Sequence, residues 1–251
     1  MVAAIGFLKV ALILVLFLAG ADRGARAQTV TADLSNHLIA IDTGFSGSEV
    51  LLFGTVDEAE DVVVVVRGPP RIETVRRKAR ILGIWINSDE AQFARVPGFY
   101  AVAANGPLTE VANDPVRARL QIGLDKLVIR PLGAMERQES LDFRNGLVRD
   151  RQRRGLYQAE PGTVRFIGQN LFRTTLDFPA NVPPGIYQVE VFGLRNGEVV
   201  GAQSSALVVN KIGLEAALFD FAHDNAHLYG VAAILLSLLS GWTAAAVFRR
   251  G

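Results

Sequence analysis

Three basic side chains at alternate positions are the strongest indication of ligand chemistry in this sequence. Arg76, Lys78 and Arg80 lie in the segment Ile72 to Ile81, whose alternating pattern predicts a strand, so the three cations should share one face. Such a face, with Trp85 as a stacking neighbour, would bind sulfonate, phosphate or lipid head groups. The alternative is a face that is simply solvated, as long cationic side chains usually are. A solvated face is the usual explanation of such cations, and an anion-binding face formed by these residues is the functional alternative.

Two histidines close to the C-terminus suggest metal chemistry. His223 and His227 are four residues apart, with Asp220 and Asp224 beside them, and on a helix the two imidazoles would share a face. Two ligands do not complete a zinc or haem site, and His37 is the only other histidine. A polar collar that holds a helix end at a membrane surface explains the same residues. We therefore predict no metal and no cofactor.

The known catalytic templates are missing. The segment from Gly44 to Ser48 resembles a nucleophile elbow around Ser46, but Ser48 stands where that motif needs its second glycine, so a turn is the better interpretation. Zincin, Walker and dinucleotide motifs are absent from the sequence. Without cysteine, thiolate catalysis, disulfides and Cys-ligated zinc are excluded. A net charge of +1 argues against nucleic-acid binding. We predict a protein that is not an enzyme and has no catalytic residues.

An apolar segment near the end organises the chain. Residues Leu228 to Phe248 carry no charged side chain, and as a helix they would span roughly 31 Å, enough to cross the hydrocarbon core of a bilayer. Arg249 and Arg250 follow at once, which predicts a cytoplasmic C-terminus with residues 249–251 as the tail.

Small residues recur at every fourth position of this predicted transmembrane helix: Ala233, Ser237, Gly241 and Ala245. Such a stripe allows two helices to approach closely, which predicts a homodimer or contact with another membrane protein. The segment is rich in small residues, so chance accounts for the stripe equally well.

The N-terminus has the pattern of an export signal. Lys9 precedes an apolar run from Val10 to Ala19, and Ala25-Arg26-Ala27 is a small-x-small cleavage site. This predicts a signal peptide over residues 1–27. An uncleaved anchor is the alternative, and both export the middle of the chain.

The exported body is predicted to be mainly β. Short apolar segments from Leu38 to Val102, including five consecutive valines at Val62 to Val66, alternate with turn residues about every ten positions. This spacing predicts an antiparallel sandwich of immunoglobulin-like type over residues 28–108. A second β segment, residues 158–210, either completes those sheets or forms a small sandwich of its own.

Between the β segments the apolar period changes to that of a helix. Val116, Leu120, Leu124 and Leu127 predict one helix that starts at Asp114, and Glu136 to about Arg154 predicts a second. Residues 109–157 are therefore expected to form an αα-hairpin inserted into the sandwich. Residues 211–227 are predicted to be an amphipathic neck leading to the helix at 228–248.

Several stretches together resemble the alphaproteobacterial putative transmembrane protein family. They are Phe45 with Leu52 to Gly54, Asp61 to Pro69, Arg76 to Lys78 with Gly83 to Asn87, and Val96 to Tyr100. The resemblance covers almost the whole mature chain, including the C-terminal anchor. The family is defined by topology, so it implies no activity and no site residue. It does imply an accessory role beside permeases that resemble sulfite or organosulfonate exporters.

These observations predict a single-pass protein of the bacterial inner membrane, with its body in the periplasm and its C-terminus in the cytoplasm. The body would be a non-enzymatic binding or accessory module for a partner in the inner membrane, of the anion- or sulfite-exporter type. Two alternatives remain: a periplasmic enzyme with a dispersed active site, and a structural component of the envelope.

Overall fold

The computed structural model of the protein describes residues 30–57, 59–81, 83–212, 222–223 and 225–248. The predicted signal peptide, most of the predicted neck and the tail at 249–251 lie outside the described residues.

The described chain is mainly β, with short helices between the strands and one long helix at its end. The strands are β1 (Val30–Leu34), β2 (Leu38–Ile41), β3 (Gly47–Val56), β4 (Asp61–Arg67), β5 (Pro70–Ile81), β6 (Ile84–Pro97), β7 (Tyr100–Ala104), β8 (Arg130–Pro131), β9 (Gly162–Thr163), β10 (Arg165–Ile167), β11 (Leu171–Pro179), β12 (Gly185–Arg195) and β13 (Glu198–Lys211). The helices are α1 (Leu108–Val111), α2 (Asp114–Leu120), α3 (Arg137–Arg153) and α4 (Ala226–Phe248).

Two sheets share one hydrophobic core, and we call the two together the sandwich. The first has the order β1-β3-β11-β10, and the second has the order β2-β13-β12-β4-β7-β9. Buried and exposed residues alternate along β3 and β11, so one face of the first sheet lies against the core. The side-chain amide of Gln203 in β13 hydrogen-bonds both backbone groups of Ala32 in β1, at 2.9 and 2.7 Å, and so joins the two sheets.

Both sheets contain strands from both β segments of the sequence. In the first sheet β11 pairs with β3, and in the second β12 pairs with β4. Aromatic contacts cross between the sheets, since the Phe178 ring lies 5.1 Å from Phe99 and 5.8 Å from Tyr187.

Strand β4 lies in the middle of the second sheet. Val62 to Val66 are fully buried, because β12 and β7 flank the strand. Five β-branched residues in a row suit a strand that is covered on both faces. The prediction of a buried strand here is confirmed.

A long hairpin continues from this sheet. Strands β5 and β6 pair along their whole length, and we call this hairpin, residues 70–81 and 84–97, the arm. The backbone hydrogen bonds between β4 and β7 continue into the arm. Gly68 N–H donates to Phe99 O (2.8 Å), and Gly98 N–H donates to Pro69 O (3.0 Å). Strand β8 adds a short third strand beside β6.

Helix α3 lies along one face of the arm. The guanidinium group of Arg77 stacks over the Phe143 ring, 4.6 Å from its centroid, and the buried Arg151 forms an ion pair with Glu73. This helix agrees with the second helix that the sequence predicts. The first predicted helix is shorter than expected: α2 ends at Leu120 because Gln121 adopts a left-handed backbone conformation with φ of 51°. Leu124 and Leu127 therefore lie in a loop, and the two helices are not joined as a simple hairpin.

Helix α4 is apolar and has no buried side chain among those described. Residues Ala226–Ala245 have a mean hydropathy of 1.6 and are long and apolar enough to cross a membrane. The hydroxyl of Ser237 donates to Ala233 O at 2.8 Å and that of Ser240 to Leu236 O at 2.7 Å. These polar groups thus find partners inside the helix, as a lipid environment requires.

Candidate functional site

The three cations predicted to share a face do lie on one face of β5. Arg76, Lys78 and Arg80 are exposed on the side away from α3, since Glu73 and Arg77 meet the helix from the other side. The pairing register of β5 and β6 shifts once near the tip of the arm, where Ser88 of β6 has no partner in β5. Because this extra residue is in β6, the alternation along β5 is unbroken.

Cross-strand contacts occupy part of this cationic face. Arg76 Nε lies 3.3 Å from Glu90 Oε2, and Arg80 Nε donates to Gly83 O at 3.2 Å. Lys78 has no partner among the described residues, and the backbone register places Trp85 opposite Arg80. An exposed ion pair such as Arg76–Glu90 contributes little to the free energy of unfolding. The anion-binding assignment of these residues stays a prediction.

The opposite face of the arm is apolar near its tip. Ile84 is 68% exposed and Ile86 is also exposed. The backbone register pairs them with positions 81 and 79, which alternate with Arg80 and Lys78 along β5. The end of the arm therefore carries cations on one face and isoleucines on the other.

A groove that the sequence does not predict lies where the arm joins the sandwich. It encloses about 490 Å³ and is lined by the end of β4, the base of the arm, the loop after α2 and the start of β12. Its polar lining is Arg67, Arg95, Gln121, Arg130 and Gln188. These residues come from distant segments, so no local spacing in the sequence marks the site.

The guanidinium group of Arg67 connects three of the elements around the groove. It forms an ion pair with Glu190 and donates to the carbonyl of Leu120, which joins β4, β12 and the end of α2. Burial lowers the pKa of Arg67, and the nearby Tyr100 partly offsets this. A guanidinium group nevertheless stays protonated, so the positive charge of Arg67 compensates the negative charge of Glu190.

Arg95 and Arg130 differ from Arg67 in having no carboxylate partner among the described residues. Both are exposed. Arg95 sits in a bulge, because the pairing of β5 and β6 slips between Arg71 and Glu73, and it adopts a left-handed conformation with φ of 55°. The groove thus presents two guanidinium groups whose charge is not compensated.

The loop wall of the groove is held by a buried hydroxyl. Tyr100 donates to Gln121 O at 2.6 Å and accepts from Gly123 N–H at 2.9 Å. Burial raises the pKa of Tyr100 to about 12, so the hydroxyl remains a donor at neutral pH.

Two further contacts fix the same loop. Arg144 donates to the carbonyls of Leu124 and Leu127 at 2.9 and 3.0 Å. The side-chain oxygen of Gln121 accepts from Val128 N–H at 3.1 Å. The wall of the groove is therefore formed before any ligand arrives.

The family comparison covers the sandwich, the arm, the groove and α4 together. A family described as Putative transmembrane protein (Alph_Pro_TM) matches residues 29–250. The chain belongs to this family. The resemblance noted in the sequence is confirmed, and the chain is a transmembrane protein with a mainly β body and one apolar C-terminal helix. A comparison with curated proteins gives no match.

In this family member the predicted helix–helix stripe lies on the surface of α4. Ala233, Ser237, Gly241 and Ala245 are all exposed. A Cβ atom added at Gly241 would meet nothing within 4 Å. No other described element covers the stripe, and its role in association stays a prediction.

The histidines do not form a metal set with other described residues. No three His, Asp or Glu side chains come together in the part of the chain that the structure describes, and Asp220 and Asp224 lie outside it. His37 instead lies 3.1 Å from Asp33, at the edge of the sandwich. Ser46 lies in the turn before β3 and is not followed by a helix, unlike the serine of a nucleophile elbow.

Proposed function

We propose that this protein is a single-pass protein of the bacterial inner membrane whose β body lies in the periplasm. The body acts as a non-enzymatic binding or accessory module for a partner in the same membrane. Membership of a transmembrane family and the single candidate span among the described residues support the anchoring. Arg249 and Arg250, directly after the helix, support a cytoplasmic C-terminus.

One topological observation carries this proposal. Strands β4 and β13 both run antiparallel to β12, so they point in the same direction. Their ends meet the start of β12, since Arg67 pairs with Gln188 and Val209 pairs with Gly185. The arm therefore begins at the same end of the sandwich from which the chain continues to α4. With 12 residues in β5, the arm reaches roughly 40 Å, long enough to contact a partner at the membrane.

The strand order supports an immunoglobulin-like sandwich as the scaffold. The strands of that fold are lettered in chain order. With these letters, the first sheet has the order A-B-E-D for β1-β3-β11-β10. The second sheet has the order G-F-C-C′ for β13-β12-β4-β7. In this proposal the arm is an insertion between strands C and C′, and the helices are an insertion before strand D.

The cationic face of the arm is the binding surface in this proposal. Arg76, Lys78, Arg80 and Trp85 would receive sulfonate, phosphate or lipid head groups. The partner would be a permease of the sulfite- or organosulfonate-exporter type, an assignment supported by the family resemblance alone.

Reporter fusions and co-purification test the anchoring and the partner. A cytoplasmic reporter fused after Gly251 should be active, alkaline phosphatase at that position should be inactive, and the protein should resist carbonate extraction. Purification from native membranes in mild detergent should bring a permease in stoichiometric amount. A periplasmic C-terminus would refute the topology, and a solitary protein would favour a structural component of the envelope over an accessory module.

Neutral substitutions test the anion-binding face. Arg76→Gln with Lys78→Gln should leave the midpoint of thermal unfolding unchanged but abolish its shift with added sulfonate or phosphate. Glutamine is preferred to a reversed charge because Glu90 lies opposite Arg76. The matched control is Arg165→Gln with Arg173→Gln, an exposed cation pair on facing strands of the other sheet. An unchanged shift in the arm variant would contradict the assignment.

A further inference from the structure

The groove combines charge with apolar surface. Arg95 and Arg130 contribute two guanidinium groups without a carboxylate partner among the described residues. On the apolar side, Val128 is 46% exposed and Ile186 is 68% exposed, although both are large hydrophobic residues. Leu127 also lines the groove and is buried in the hydrophobic core. A ligand that suits this lining carries an acidic head group and an apolar body.

One residue that lines the groove has a strained backbone conformation. Three residues other than glycine have a positive φ in the described chain, and two of them, Arg95 and Gln121, line the groove. The left-handed conformation is common at the end of a helix, where Gln121 caps α2, and in a tight hairpin turn, where Asn196 precedes Gly197. Arg95 has neither explanation. Bulky side chains held in this conformation cluster at ligand sites, because the surroundings must impose it.

The wall is also rigid. Tyr100 bridges Gln121 O and Gly123 N–H, and Arg144 holds the carbonyls of Leu124 and Leu127. A site formed in advance does not lose binding energy to the ordering of loops. Its volume of about 490 Å³ is typical of small-molecule sites.

We propose that this groove binds an amphiphilic organic anion. The head group, a carboxylate or phosphate, is held by Arg95 and Arg130, and the alkyl body lies against Val128 and Ile186. The head-group chemistry is shared by free alkyl acids and by anionic phospholipids. The groove is separate from the outward face of β5, so this assignment goes beyond the function proposed above and does not depend on it.

Calorimetric titration of the full chain in phosphatidylcholine nanodiscs tests the site, with octanoate as the probe. Octanoate should bind, and acetate, which lacks the apolar body, should bind at least tenfold more weakly. Arg130→Gln and Arg95→Asn should each weaken octanoate binding about tenfold, the usual effect of losing one charge-assisted hydrogen bond. Asparagine is chosen at position 95 because it tolerates the left-handed conformation.

Arg165→Gln is the matched control, since Arg165 is exposed on β10 and does not line the groove. It should bind octanoate like the parent, and so should the Arg76→Gln, Lys78→Gln variant, which separates this site from the arm. Circular dichroism verifies that each variant is folded. If Arg95→Asn is unstable, Arg130→Gln alone tests the site. Parental affinity in Arg130→Gln, or no binding of octanoate, would overturn the proposal.

Phosphatidylglycerol in the nanodiscs distinguishes the two sources of the head group. If a phospholipid occupies the groove, this lipid should weaken octanoate binding in the parent and not change the residual binding in Arg130→Gln. If a free acid is the ligand, octanoate should bind equally well in both kinds of nanodisc. Either result supports the site, provided that binding depends on Arg130.

Discussion

At the scale of single residues, Tyr100 connects the core to the groove. Its ring is buried beside Tyr157, with centroids 6.0 Å apart, while its hydroxyl bridges two backbone groups of the loop after α2. The position of the loop therefore depends on one phenol oxygen that both donates and accepts.

Removing this oxygen should weaken the fold measurably. Tyr100→Phe leaves Gln121 O and Gly123 N–H without their partner, which should lower the free energy of unfolding by about 1–3 kcal/mol. Tyr187→Phe is the matched control, because that buried hydroxyl makes a single bond, to Pro183 O. Urea denaturation followed by circular dichroism measures both. An equal or larger loss in Tyr187→Phe would contradict the importance of the bridge.

Arg95 offers a second test at this scale. Its exposed side chain makes no hydrogen bond or ion pair with a described residue that would offset the cost of a left-handed backbone, so glycine should fit the position better. Arg95→Gly should raise the free energy of unfolding by about 0.5–1 kcal/mol while weakening ligand binding. Asn196→Gly should change stability much less, because asparagine tolerates this conformation. Destabilisation by Arg95→Gly would show that the side chain contributes to folding.

At the scale of elements, local pattern predicts some segments and not others. The valine run of β4, the helix α3 and the apolar helix α4 each carry a complete signal in their own residues. Strand β6 does not: residues 88–97 look like a polar loop because the arm is covered on one side only, where Ala91, Phe93 and Val96 are buried.

The end of α2 shows why the groove was missed. Val116, Leu120, Leu124 and Leu127 keep a helical period, yet the chain leaves the helix at Gln121. Tertiary contacts to Tyr100 and Arg144 stabilise the loop instead, and such contacts override local propensity. The cations of β5 were predicted because a strand places alternate residues on one face, whereas the groove depends on contacts between distant segments.

Helix α4 gives a prediction that belongs to one element. Gly241→Leu should reduce self-association in a membrane two-hybrid assay, because a leucine prevents close approach along the stripe. A Cβ atom added at Gly241 has nothing within 4 Å in the described chain, and the position is exposed. Ala232→Leu, on the opposite side of the helix, should leave the signal unchanged. Equal signals in both variants and the parent would remove the stripe as an interface.

At the scale of the whole molecule, three features are at one end of the sandwich. The arm starts there, the groove lies beside Arg67 and Ile186, and β13, the last strand before α4 in the sequence, ends there at Lys211. The core between the sheets holds this end together through Phe99, Phe178 and Tyr187. The proposed anion-binding face and the proposed groove site thus belong to the end of the sandwich where the last strand before α4 ends, as expected if the protein binds its ligands or partners at a membrane.

The stability of this molecule should decrease in alkaline solution because of its buried tyrosines. Burial raises the pKa of Tyr100 to about 12, and it also raises the pKa values of Tyr157 and Tyr187. A free tyrosine has a pKa of about 10, so the folded state holds these protons more tightly than the unfolded state. Their contribution is complete below about pH 10 and is lost as the pH rises toward 12.

We therefore expect unfolding to accompany the ionisation of these three side chains. In a titration from neutral pH, the ultraviolet absorbance of tyrosinate from the buried rings should rise together with the loss of the β-sheet circular dichroism signal. Tyr100→Phe should show a shallower fall in stability above about pH 10, because it lacks one of the protons that are linked to folding. Ionisation of all tyrosines near pH 10 with an intact circular dichroism spectrum would contradict the burial of these rings.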